Sequence, residues 1–322
     1  MFEVSEVRHI HLELSSLCNA RCPLCPRNFH GYPYNLGYTE TNLSLVQLQT
    51  LLPNVFVSQL DEVLINGNYG DFVMNPESTE IILWLRTTNP SMKIHISTNG
   101  GARDKKFWQQ LAKLNLEISF CIDGLEDTHH IYRQDTTYQQ VIKNAKTYID
   151  AGGQAVWTMT EFEHNLHQIE EARQRSEKLN FFSFNTRPTY RNKGAVYNRQ
   201  GQKIFKLSNM DLNLPNTIDD TFVDEKIKKN RVQNNSSTYL SKIIKNITCE
   251  AKNNKSIYIT SEGIVKPCCY LGLDKTASCF YSGIKELDHF QSIEKSIALF
   301  KDIEKTFDSN QQLVACQQFC GK

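Results

Sequence analysis

Three cysteines fall within eight residues near the N-terminus: Cys18, Cys22 and Cys25. They form a Cys-x3-Cys-x2-Cys pattern. Three soft thiolates on one loop can hold three corners of a 4Fe–4S cube. The fourth iron then stays open, as inner-sphere chemistry needs. A cluster that only transfers electrons would take four cysteines. A zinc ion with a distant fourth ligand fits the same spacing. A second group lies near the C-terminus. Cys249, Gly263 and Cys268 make Cys-x13-Gly-x4-Cys, and Cys316 and Cys320 make Cys-x3-Cys. Four thiolates are a full ligand set for a closed 4Fe–4S cluster or a structural zinc site. Cys269 and Cys279 are spare: Cys269 could take the place of Cys268, but adjacent strand residues point to opposite faces, so one of the two is read as a bystander, as is Cys279. Cys121 stands alone between the groups. It is either a thiol facing a site or a small buried hydrophobe.

The elements that would position these residues follow from periodicity. Short β-like runs at 9–16, 62–68, 93–99, 117–123, 155–161 and 181–187 alternate with amphipathic stretches at about 44–56, 77–88, 104–114, 138–151 and 165–179. Gly152 and Gly153 read as a helix stop. The alternation predicts βαβ units and a parallel sheet. Six units are too few for an eight-fold barrel. The candidates are an open, partial barrel or a doubly wound sheet, and both put function at the C-terminal strand ends. Residues 188–238 are rich in Asn, Lys, Asp and Gln and read as a linker or lid. A short helical run near 239–247 leads into the tail. IYITSEGIVKPCC reads as two strands around a Glu-Gly turn, and Cys316 and Cys320 lie on one helix face. The expected domains are 1–187, the linker 188–238, and 239–322.

The cysteine loop follows the first strand, and further motifs stand at later strand ends. Asn66-Gly67-Asn68-Tyr69-Gly70-Asp71 follows the second, and Ser97-Thr98-Asn99-Gly100 the third. Cys121-Ile122-Asp123-Gly124 closes the fourth, with Arg133 beyond it. In this order they resemble the radical S-adenosylmethionine (SAM) superfamily over about residues 8–187. The resemblance implies an α/β fold, a partial (β/α)6 TIM-type barrel. It implies a 4Fe–4S cluster on Cys18, Cys22 and Cys25 whose open iron binds SAM. One-electron cleavage then gives a 5′-deoxyadenosyl radical that abstracts hydrogen from a substrate. The implied SAM contacts are Leu24, Gly67, Asn68, Tyr69, Gly70, Asp71, Ser97, Asn99, Cys121, Asp123 and Arg133. Asp71 stands where the family carries Glu, and Leu24 where many members carry an aromatic. Arg133 suits the SAM carboxylate because its fork pairs two oxygens. Ser119, Cys121 and Asp123 share a strand face, so Cys121 could also give a hydrogen atom to a substrate radical. The tail resembles the SPASM domain or its shortened twitch form, a β-hairpin plus helix. It implies one auxiliary 4Fe–4S cluster on Cys249, Cys268, Cys316 and Cys320.

Composition limits the partners. With 40% hydrophobic and 22% charged residues the chain is an ordinary globular one. A net charge of +1 gives no footprint for wrapping nucleic acid. Neither a signal peptide nor an 18-residue apolar run is seen, so a cytoplasmic protein is expected. Ten cysteines there point to metal sites rather than disulfides. The favoured substrate is a ribosomally made peptide or protein, changed by crosslinking, epimerisation or oxidation. The first strand begins near residue 8, so no peptide-recognition domain is expected before the barrel. The runner-up is oxidation or rearrangement of a small sugar- or nucleotide-type metabolite. A reducing partner such as flavodoxin or ferredoxin is implied. A reading of another class is a non-catalytic iron–sulfur or zinc scaffold.

Overall fold

A computed structural model describes residues 1–29, 32–33, 39–188, 194–197, 202–207, 245–272, 291–309 and 312–321. One eight-stranded sheet organises them. Its strands, in chain order, are β1 (His9–Leu12), β2 (Glu62–Ile65), β3 (Lys93–Thr98), β4 (Glu117–Cys121), β5 (Gln154–Glu161), β6 (Ser183–Pro188), β7 (Ser256–Ile259) and β8 (Val265–Lys266). The spatial order is β8-β7-β1-β2-β3-β4-β5-β6. All neighbours are parallel except β7 and β8. The ends, β8 and β6, do not pair, so the barrel stays open.

The pleat explains the two faces. On β1, Ile10 and Leu12 are buried while His9 and His11 alternate with them. The same alternation marks β2 and β3. The apolar set packs under helices Leu45–Leu51, Ser78–Thr88, Lys105–Leu111, Tyr138–Asp150 and Ile169–Lys178, making one core. The opposite set of β1 to β4 carries His11, Leu64, His95, Ser97, Ser119 and Cys121 toward the concave side. An α/β partial barrel is the architecture.

Three details differ from the periodicity. The stretch expected to be helical over 44–56 is two helices, Leu45–Leu51 and Asn54–Ser58. Pro53 has no N–H to continue the first and starts the second. The hairpin of the tail does not stand apart. β7 pairs with β1, Ile10 opposite Ile257, and so extends the barrel sheet. Within 188–238, Gly194–Tyr197 and Lys203–Leu207 form an antiparallel ladder. Cys279, most of the remaining linker, and residues 239–244 of the helical run expected near 239–247 lie outside the described residues. Among the described residues no helix is long and apolar enough to cross a membrane.

Candidate active site

The cysteine loop leaves β1 and is tied down by its own backbone. Leu17 N–H donates to Ser15 Oγ at 3.0 Å, Cys25 N–H to Cys22 O at 3.0 Å, and Asn28 N–H to Cys25 O at 2.9 Å. Arg21 N–H reaches Gln134 O at 2.9 Å, which joins the loop to the segment after β4. An apolar shell surrounds the thiols. Ala20, Cys22, Tyr132, Phe162 and Val196 form a buried cluster against which Cys18, Leu24, Cys25 and Ile131 pack. Burial pushes the Cys18 thiol well up, and pushes Cys22 up to about 11 despite the nearby Arg133. Three donors aim at the sulfurs, the Ala20 N–H standing 3.4 Å from Cys18 Sγ. Asn99 Nδ2 lies 3.5 Å from Cys18 Sγ, and Arg133 Nη1 lies 3.7 Å from Cys22 Sγ. Such bonds offset the charge that burial penalises and tune a bound cluster. Among the described residues no group of three or more His, Cys, Asp and Glu is gathered to hold a single metal ion. A cubane takes its thiolates at separate corners and needs them further apart. Three thiols on one loop, dry on one side and bonded by N–H donors, fit such a cluster.

The turn after β2 docks on this loop. Asp71 N–H donates to Leu17 O at 2.9 Å. A Cβ on Gly70 would stand 1.8 Å from Ser15 O, so only glycine allows the approach. The Asp71 side chain is 6% exposed and turned inward. Its Oδ1 accepts from Thr98 Oγ1 (2.8 Å) and Val73 N–H (3.2 Å). Its Oδ2 accepts from Asn99 N–H and Nδ2, both at 2.7 Å. Those four bonds use the carboxylate's accepting capacity. Burial pushes the Asp71 carboxyl up, and its donors oppose the shift. Asn99 in turn bonds Asn19 and Cys18. Asp71 therefore holds the strand-end turn at 98–100 in place and, through Asn99, the cysteine loop. Ser97 is half-buried, with no side-chain partner among the described residues.

The fourth strand supplies the other wall. Asp123 is fully buried, and its Oδ2 accepts from Arg133 Nε at 2.6 Å while Oδ1 accepts from Thr160 N–H at 2.6 Å. Arg133 also lies 5.4 Å over the Tyr132 ring. The pair fixes the guanidinium beside Cys22. Cys121 is buried at the end of β4, opposite Thr158 of β5.

Glu13 carries no motif, yet it sits at the centre of the turn. It lies one residue past β1 and is 1% exposed. Its Oε1 accepts from Tyr69 N–H at 2.7 Å and Gly70 N–H at 3.1 Å. Nothing in the sequence singles out one carboxylate after a strand. Val196 is the other surprise, since the linker composition gives no sign that part of it packs on the cysteine shell.

The radical SAM superfamily profile matches residues 12–184. The chain belongs to the radical SAM superfamily. It is a radical SAM enzyme, and membership brings SAM and a 4Fe–4S cluster as cofactors. The fold is similar to that of SuiB from Streptococcus suis (TM-score 0.56, 15% identity), covering 94% of this chain and 66% of SuiB, just under two thirds of its length. In the structure of SuiB bound to its precursor peptide SuiA the TM-score is 0.55 at 15% identity, over 97% of this chain and 76% of that one. Histidine-tagged anSMEcpe with bound AdoMet gives a TM-score of 0.54 at 17% identity, over 96% of this chain and 87% of that one. No curated protein sequence matches.

The tail cysteines also meet. Cys249 caps helix Glu250–Asn253, Cys268 follows β8, Cys316 is buried in helix Val314–Phe319, and Cys320 caps that helix. Thr248 N–H donates to Cys320 O at 2.9 Å and Cys320 N–H to Cys316 O at 2.9 Å. Burial pushes the Cys268 thiol up, and the nearby Cys269, Cys316 and Cys249 add to it. Burial, then Cys249 and Cys320, raise Cys316 to about 12. The Cys269 carbonyl accepts from Asn68 Nδ2 at 2.7 Å.

Proposed function

We propose that the chain binds SAM at Cys18, Cys22 and Cys25 and modifies a ribosomally made peptide or protein. Held there, the cluster and SAM would supply reductive cleavage to methionine and a hydrogen-abstracting 5′-deoxyadenosyl group. The residues of this chain place and enclose that chemistry. The turn Gly67–Gly70 faces the SAM ammonium with its backbone. Arg133, held by Asp123, offers its remaining guanidinium edge to the SAM carboxylate. Leu24, Tyr132 and Phe162 exclude water on the cysteine side, which protects a reactive intermediate. Ser97, Asn99, Cys121 and Asp123 stand at the strand ends, on the side where SAM would lie. Cys249, Cys268, Cys316 and Cys320 hold an auxiliary 4Fe–4S cluster. Such a cluster would supply a centre to accept or relay an electron, or help hold the substrate, and a small reducing protein such as flavodoxin or ferredoxin would feed the first cluster.

The observation that carries the peptide reading is the reach of the fold likeness. It continues past the barrel into the tail, covering 97% of the chain for SuiB with SuiA and 96% for anSMEcpe with the Cp18Cys peptide. Coexpression with short open reading frames adjacent to the coding sequence, followed by mass spectrometry, tests it. The expected result is a peptide that loses hydrogens, or in deuterium oxide gains a deuterium at an inverted stereocentre, only with the intact cysteine loop. Unchanged peptides, with a small metabolite consumed instead, would refute it.

A further inference from the structure

Two buried titratable residues take no part in the chemistry above: Glu13 at 1% exposure and Tyr258 at 0%. They come from opposite ends of the chain and meet, Tyr258 Oη donating to Glu13 Oε2 at 2.5 Å. The other carboxylate oxygen takes the Tyr69 and Gly70 amides. The backbone of Glu13 is fixed as well, its N–H donating to Ile259 O at 2.9 Å. A Cβ on Gly67 would lie 2.7 Å from Glu13 Oε1, so the turn is wrapped closely round the carboxylate.

The far side of the turn is held by the tail. Asn68 Nδ2 donates to Cys269 O, and Gly272 N–H donates to the same carbonyl at 3.1 Å. Gly272 presses on both partners. A Cβ there would stand 2.2 Å from the Tyr258 ring and 3.2 Å from Asn68 Nδ2. The Tyr69 and Gly70 amides of the turn are thus held by Glu13. Asp71 is spent on Thr98 and Asn99, so the carboxylate that orders the turn is Glu13, and the tail orders Glu13.

We propose that Glu13 and Tyr258 are positioning residues for the SAM-binding turn, and that through them the tail sets the affinity for SAM. This rests on the reading that turn 67–70 faces SAM. Neither residue touches the reacting atoms.

The test uses the full chain with reconstituted clusters. Tyr258→Phe removes one hydroxyl and keeps the ring, and Glu13→Gln keeps the shape. Losing a hydrogen bond to a charged group costs enough to weaken binding roughly tenfold or more. Each variant is expected to raise the SAM dissociation constant and KM about tenfold, with kcat unchanged, because the bond orders the turn before and after chemistry. The double variant is expected to be no worse than the weaker single, since Tyr258→Phe removes, and Glu13→Gln turns into a neutral amide-to-hydroxyl contact, one and the same bond to the carboxylate. Hydrogen exchange without SAM gives a second readout: the Tyr69 and Gly70 amides exchange faster in both variants. Wild-type affinity in Tyr258→Phe, or additive losses in the double variant, would overturn the proposal. The wild type separates the two failures. SAM that protects residues 67–70 supports the placement of SAM whatever the variants do. If SAM leaves them unprotected, that placement falls and this proposal with it.

Discussion

At the residue scale, the departure from the family pattern at Asp71 has a physical explanation. Asp71 is not simply a shortened Glu reaching for SAM. It is a buried acceptor for Thr98, Val73 and Asn99. Every group facing it is a donor, so Asp71→Asn would turn an amide N–H2 toward other donors. The expected outcome is a loss of about 1–3 kcal/mol in urea unfolding. Weaker SAM binding should accompany it as Asn99 shifts. Unchanged stability would show that the pocket tolerates either end. The motif residues here were legible because each sits at a strand end in a fixed order. Glu13 was not. Its partners are backbone amides and a tyrosine 245 positions away, which spacing cannot reveal.

At the element scale, alternation predicts all six barrel strands and their helices, because burying one face of each imposes a period. It does not reveal that β7 joins β1, since pairing across the length of the chain leaves no local mark. The segment after β4 yields a prediction. His129 is fully buried on helix His129–Tyr132, with Nε2 3.2 Å from Thr136 Oγ1 and, among the described residues, no partner for Nδ1. Burial lowers its pKa to about 4, Arg133 and His130 add to this, and Asp123 opposes it. The folded state therefore keeps the ring neutral. Its contribution is present above the ordinary histidine value of 6.5 and lost as pH falls toward about 4. At about 1.4 kcal/mol per unit the loss is on the order of 3 kcal/mol. Urea midpoints measured between those values should fall for the wild type and stay flatter for His129→Gln. Equal slopes would assign the acid sensitivity elsewhere.

At the scale of the whole molecule, the two cysteine groups belong to one body. The hairpin β7–β8 extends the barrel sheet, and Cys316 is part of the main core. The sequence shows two clusters at two ends. The fold sets Cys269 against Asn68 and Tyr258 against Glu13, so the tail braces the first site. The central claim is that Cys18, Cys22 and Cys25 hold a cluster with an iron reserved for SAM. The most direct measurement is 5′-deoxyadenosine formed from SAM by the reconstituted chain under dithionite. The wild type is expected to form it steadily, and the chain with Cys18, Cys22 and Cys25 replaced by alanine to form none. Absence of product from a fully iron-loaded wild type, or product that survives loss of those three cysteines, would contradict it.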